Sequence, residues 1–234
     1  MIYKFLPFFM LFFMSFSTKT EVANTASFAK DETVSLAAKI EMVYYSLDRN
    51  NLELPQITCF QKAMEGYYSL RAKGVVQKEI LTVIDFSLSS AKKRMWVIDL
   101  NSNEILIHTF VSHGMNSGGE YANKFSNATN SNQSSLGFYT TGEVYNGKHG
   151  ISLKLDGQER GINSNARSRA LVIHGAYYAN PSVIRSQGYL GRSQGCPAIP
   201  EAVKKQVIKT IKNKSCIFIY HPSKSYEIAS RLVS

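Results

Sequence analysis

The chain has no apolar run long enough to span a bilayer, no Cys-x-x-Cys pair and no internal repeat. A membrane helix needs about 20 apolar residues, and the run Phe5–Phe16 has twelve. The five histidines show no close paired spacing, so the common zinc frameworks are excluded and no metal is expected. Cysteine is scarce. Three is an odd number, too few for a disulfide scaffold, and leaves at least one thiol free or paired outside the chain. Cys59 and Cys216 lie in apolar contexts and read either as buried thiols or as a pair. Charged residues make up only 19% against 44% hydrophobic, which excludes a disordered chain. The formal net charge is +10, yet the basic residues are scattered and no basic-aromatic module accompanies them, so nucleic acid is not an expected partner. The densest cluster, Lys204, Lys205, Lys209, Lys212 and Lys214, reads as the solvated face of a helix.

What is present points first to export. Lys4 precedes the apolar run, and small residues follow, with Ser27-Phe28-Ala29 as a cleavage site. Cleavage nearer Ser17 and an uncleaved anchor are the alternatives. The expected location is the periplasm or cell envelope, with the membrane touched only through this segment and the protein a monomer. The 234 residues divide into a signal peptide over 1–29, a helical segment over 30–76, a catalytic domain over 77–223 and a C-terminal tail over 224–234.

In the helical segment, Leu36, Ile40, Val43, Tyr44 and Leu47 follow helical spacing behind Asp31 and Thr33 as caps. A second helix opens at Pro55, carries Ile57, Phe60, Met64, Tyr67 and Tyr68 on one face, and stops at Gly74. From residue 79 short β-branched and aromatic segments take over: Ile80–Phe86, Arg94–Leu100, Ile105–Val111, Gly137–Thr141, Ala170–His174 and Ser215–Tyr220. Asn101-Ser102-Asn103 reads as a hairpin turn. The Ser-, Asn- and Gly-rich stretch Ser112–Ser135 reads as a substrate-facing loop, and 201–212 as a helix opened by Pro200. The fold class is mainly β (α+β), with a sandwich or barrel-like sheet.

The chemistry concentrates in Ala170–Pro200. An apolar strand ends in His174-Gly175, and Gly191-Arg192-Ser193-Gln194-Gly195-Cys196-Pro197 follows. Cysteine catalysis needs a thiolate, a base that accepts and returns a proton, and donors for an oxyanion. Cys196 is the candidate nucleophile and His174 the candidate base. The backbone N–H groups of Gly195 and Cys196 are candidate oxyanion donors, with Gly195 permitting the tight turn. From composition alone, a lone Cys with a lone upstream His is as readily structural as catalytic.

These residues resemble the L,D-transpeptidase catalytic-domain family, often called the YkuD domain. That family carries a strand-borne His-Gly and then Ser/Thr-X-Gly-Cys, as in His174-Gly175 and Ser193-Gln194-Gly195-Cys196-Pro197-Ala198. The resemblance extends over about residues 79–222. It includes Asp85-Phe86, Val111-Ser112-His113-Gly114, Ser134-Ser135-Leu136-Gly137 and Gly147-Lys148-His149-Gly150. The commonest pattern has a second His before Gly-Cys, where this chain has Gln194, so His174 is left as the base.

The resemblance implies a peptidoglycan L,D-transpeptidase needing no cofactor, with stem peptides as partners. An L,D-carboxypeptidase on the same scaffold and an inactive wall-binding module are the alternatives. Ser193 is expected to orient the loop, and Arg192 to hold a substrate carboxylate or bias Cys196 toward thiolate or, alternatively, to bind backbone carbonyls of the same loop. Gln194, His113, His149, Gly175 and Tyr177 are expected to line the substrate cleft, with a structural role as the alternative for the two histidines. His108 and His221 receive no role.

Overall fold

The structure, a computed structural model, describes residues 1–2 and 35–233. The signal segment, its cleavage positions and the caps Asp31 and Thr33 lie outside the described residues. Helix α1 (Leu36–Ser46) is capped by Ser35, whose side chain accepts from the Ala38 N–H. Its inner face is Ile40, Val43, Tyr44 and the following Leu47, whereas Leu36 in the first turn is 50% exposed. Helix α2 (Ile57–Ala72) buries Cys59, Phe60, Ala63, Met64, Tyr67 and Leu70 at helical spacing. It ends at Gly74 (φ +69°), whose N–H reaches Arg71 O. Among the described residues no helix is long and apolar enough to cross a membrane.

Eight strands follow in one mixed sheet: β1 (Ile80–Asp85), β2 (Met95–Asp99), β3 (Glu104–Thr109), β4 (Gly137–Gly147), β5 (Gly150–Gly157), β6 (Val172–Gly175), β7 (Ala198–Ile199) and β8 (Cys216–Tyr220). Their order is β3-β2-β1-β8-β4-β5-β6-β7. The two ends of this order meet: Ser112, just beyond β3, bridges Ala198 of β7 through two backbone hydrogen bonds of 2.7 and 3.4 Å. The sheet is therefore nearly closed and barrel-like, as the strand pattern predicts. β1 and β8 pair in parallel, as do β6 and β7, and the remaining neighbours are antiparallel.

The helical segment is built onto this sheet. The Trp96 indole N–H donates to Glu53 O at 2.7 Å, and Asp48 bridges Glu104. A single apolar cluster runs from Ile40 through the strands to Val233. The last segment also folds onto it. Helix α5 (Lys224–Ala229) buries Tyr226, whose hydroxyl, with that of Ser230, donates to the buried carboxylate of Glu159; the other donor to Glu159 is the Phe138 N–H at 2.7 Å. Burial holds that carboxyl above its ordinary range.

Beyond the strands the sequence pattern predicts, β4 runs on to Gly147 and returns as β5. The β4 extension, Glu143–Asn146, is exposed and lacks an apolar face, which hides it from pattern reading. Ile151, Leu153 and Leu155 of β5 do alternate. Two short helices complete the fold: α3 (Pro181–Gln187), closed by Gly188 at φ +90°, and α4 (Lys204–Ile211), which packs Val207, Ile208 and Ile211 inward. All three cysteines are free thiols, and Cys59 and Cys216 are buried.

Candidate active site

His174 stands on β6, 3% exposed, with its Nδ1 donating to Gly175 O at 2.9 Å. That hydrogen bond fixes the neutral tautomer and leaves Nε2 as the proton acceptor. β6 pairs with β7 so that His174 faces Ala198, two residues past Cys196. Strand pairing thus draws the turn 193–197 alongside the histidine, and Cys196 and His174 line one cleft of about 580 Å³.

The turn itself is held from inside. Ser193 Oγ donates to Cys196 O at 2.6 Å and accepts the Gly195 N–H at 3.0 Å. Gly195 has φ +118°, and a Cβ there would lie 2.8 Å from Gln133 O, so glycine is required. Ser134 Oγ donates to Gly195 O and accepts from Gly114 N, while the Ser193 N–H donates to His113 O. Ser193 thus ties both ends of the turn together. The Gly195 N–H is spent on it, which removes one of the two expected oxyanion donors. The Cys196 N–H has no partner among the described residues.

Cys196 is partly buried. Its Sγ–H faces Ala170 O at 3.8 Å, and the Val172 N–H faces the sulfur. Burial raises the thiol above its ordinary value, opposed by that N–H and by the charges of Arg169 and Lys148. Burial also lowers His174, with the neighbouring His149 adding to the effect. Both shifts favour the neutral forms of thiol and imidazole, and no hydrogen bond joins the two side chains.

The cleft-lining expectations divide. Arg192, Gln194, His149 and Tyr177 do line it. Arg192 is exposed and donates to Gly118 O at 3.2 Å, and Tyr177 is 77% exposed. His113 does not line the cleft. It is 1% exposed, and its Nδ1 accepts from Arg94 Nη2 at 2.8 Å; burial first, and then Arg94, push it down to about 4. Gly175 does not line the cleft either. A Cβ on it would meet Lys204 Cδ at 2.6 Å and the Glu201 carboxylate at 2.9 Å, so it serves close packing where α4 approaches β6.

Three cleft residues escape the sequence reading. Tyr178 lies beside Cys196, and its hydroxyl, with no hydrogen-bond partner among the described residues, is raised by burial and by that neighbour. Its signal is the second tyrosine after His174-Gly175. Arg169 spends its guanidinium on Ser126 O, Ser131 Oγ, Gln133 O and Ser135 Oγ at 2.6–3.1 Å, and so pins the 126–135 segment behind the Cys196 turn. Lys148, at the β4–β5 turn, is exposed and has no hydrogen-bond or ion-pair partner among the described residues. The cleft lining holds Lys148, Arg169 and Arg192 and no carboxylate.

Among known proteins, no significant match is found to curated sequences. Solved structures that resemble the chain include an L,D-transpeptidase from Mycobacterium smegmatis, at 16% identity and TM-score 0.37, covering 61% of this chain and 59% of that one. An L,D-transpeptidase (Yku) from Stackebrandtia nassauensis aligns at 10% identity and TM-score 0.38, covering 71% and 68%. Bd1075 of Bdellovibrio bacteriovorus aligns at 14% identity and TM-score 0.39, covering 63% and 51%. The chain thus spans about three-fifths of the length of the first of these structures. The profile of the L,D-transpeptidase catalytic domain matches residues 52–220, from within the α1–α2 connection to the last residue of β8. With the match covering most of the molecule, the chain belongs to the L,D-transpeptidase catalytic domain family.

Proposed function

We propose that this chain is an exported peptidoglycan L,D-transpeptidase of the periplasm or cell envelope, with Cys196 as nucleophile and His174 as general base. The observation that carries the reading is that the β6–β7 pairing brings these two side chains into one cleft. Rotation of the Cys196 side chain away from Ala170 O turns Sγ toward His174 Nε2. The thiol proton passes to Nε2, and sulfur attacks the carbonyl carbon that joins the L-centre of a diamino acid to a terminal D-amino acid. The oxyanion takes the Cys196 N–H and the Tyr178 hydroxyl as donors. The C–N bond then breaks, the departing amine takes the proton from His174, and a thioester remains. An acceptor amine attacks that thioester and gives its proton to His174. The C–S bond breaks and sulfur recovers the proton. The carboxylate-free, cationic lining suits a donor that carries free carboxylates.

Incubation with a stem tetrapeptide and mass spectrometry tests the reading. A crosslinked dimer with loss of one D-amino acid is expected. Tripeptide alone would replace transfer by hydrolysis, and no product would leave a wall-binding module.

Thiol reactivity supplies an independent check. Iodoacetamide is expected to label Cys196 on the order of 100-fold faster than Cys59 or Cys216, which react only when the fold opens; equal, slow labelling of all three would contradict an active nucleophile. Because the thiol is raised and the imidazole lowered, the Cys196 labelling rate should keep climbing past pH 9. A plateau reached near pH 6 would mean a resting ion pair.

A further inference from the structure

Two histidine rings lie face to face in the cleft. His149, at the tip of the β4–β5 hairpin, and His174 on β6 have ring centroids 4.3 Å apart and planes inclined by 26°. Stacked rings direct their N–H groups sideways, so these two cannot hydrogen-bond to one another, and His149 is not a proton relay to His174. Its place implies a different task. The His174 tautomer is already set by Gly175 O. That hydrogen bond holds the ring by one edge, and His149 covers one face of it. The hairpin tip is short, running from Gly147 to Gly150 at φ +70°. It is tied to the helical side of the cleft by Lys204 Nζ, which donates to His149 O at 3.4 Å and to Glu201 Oε2 at 2.7 Å.

We propose that His149 is the positioning residue of the general base: stacked on His174, it holds the imidazole plane for proton transfer with Cys196. This rests on the proposed role of His174. The charged and titratable groups around His174 are His149 and Lys148 from the hairpin, Glu201 and Lys204 from the approach to α4, Tyr178 from the turn after β6, and Cys196. β5 and β7 present uncharged Ser152 and Ala198. Glu201, the one carboxylate in this set, is paired with Lys204. A second imidazole therefore faces His174, its π-face orienting the ring and its presence disfavouring a charge there, against the opposing hydrogen bond to Gly175 O and the Glu201 carboxylate.

His149→Ala and His149→Phe in the full chain separate these effects. Ala removes the ring, and kcat for transfer should fall roughly 10- to 100-fold with KM nearly unchanged, the cost of a misoriented base. Phe restores a stacking face without a titrating group and should recover most of the rate that Ala loses. In both variants the NMR titration midpoint of the His174 ring should rise, by roughly half a pH unit or more, and the acid limb of Cys196 alkylation should move with it. An unchanged His174 midpoint in both variants would overturn the proposal, as would an Ala variant with the parent kcat. The titration needs no turnover. A raised midpoint in a chain that never forms product would sink the transpeptidase reading and leave the pairing of the two rings standing.

Discussion

Cys196→Ala should abolish thioester formation and transfer, lowering product formation by on the order of 10⁴-fold or more, because no other thiol lines the cleft. The other two thiols cannot substitute: both are fully buried in the apolar core. Muropeptides incubated with parent and variant, followed by mass spectrometry of products and of the intact protein, measure the loss. The parent should carry an acyl adduct on Cys196 and the variant none. The fold should survive, since Ser193, Ser134 and Arg169 hold the turn and its surroundings through backbone atoms and neighbouring side chains and not through the sulfur. A change of about 1 kcal/mol or less is expected, which thermal melting would show as a few degrees. Parent-level transfer by the variant would remove Cys196 from the chemistry.

Arg94→Ala should be the most destabilising single change near the site. Arg94 is fully buried. Its guanidinium donates to Val111 O through Nε and Nη2, to Leu88 O at 2.7 Å and to His113 Nδ1, and it lies over the Phe86 ring. Burial presses its pKa down to about 9, with Asp85 opposing. Truncation strands three buried acceptors and leaves buried Asp85 without its nearest cation, a loss of roughly 3–5 kcal/mol and of the order of 10 °C in melting temperature for a chain this long. The damage should reach the Cys196 turn, because His113 O holds the Ser193 N–H and Gly114 bridges Ser193. Acid attacks the same cluster. With His113 held neutral down to about 4 against an ordinary 6.5, the unfolded chain takes up the proton first, so stability should fall as pH drops from about 6.5 through about 4. Thermal melts across that range, with Arg94→Lys alongside, test this. Lys keeps the charge but cannot reproduce the fork, so it should recover only part of the loss, and melting temperatures unchanged in Arg94→Ala would refute the cluster's role.

Much of the architecture could be read from the residues because its signals are local. The helical spacing of Phe60, Met64 and Tyr67, the β-branched runs of β1, β2 and β8, and Asn101-Ser102-Asn103 between β2 and β3 all need no partner to be seen. What escaped depends on partners distant in sequence. β7 is two residues long and exists because β6 and Ser112 flank it. Helix α5 is held by Glu159, whose role is invisible without the fold. The site divides in the same way. Cys196 and His174 stand out by chemistry and flanking glycines. Arg169 looks like any surface arginine until its four hydrogen bonds are seen, and His113 looks like a cleft residue until Arg94 is found beneath it.

The strand order carries a consequence for how the molecule comes into being. β8, built from residues 216–220, pairs with both β1 and β4 and so joins the β3-β2-β1 half to the β4-β5-β6-β7 half along its whole length, whereas the other margin meets only through the short Ser112–Ala198 bridge. A polypeptide released short of Tyr220 therefore holds two ribbons with open, adhesive margins, and the β1–β8 pairs that join them span well over a hundred residues. Assembly of this kind is intrinsically slow.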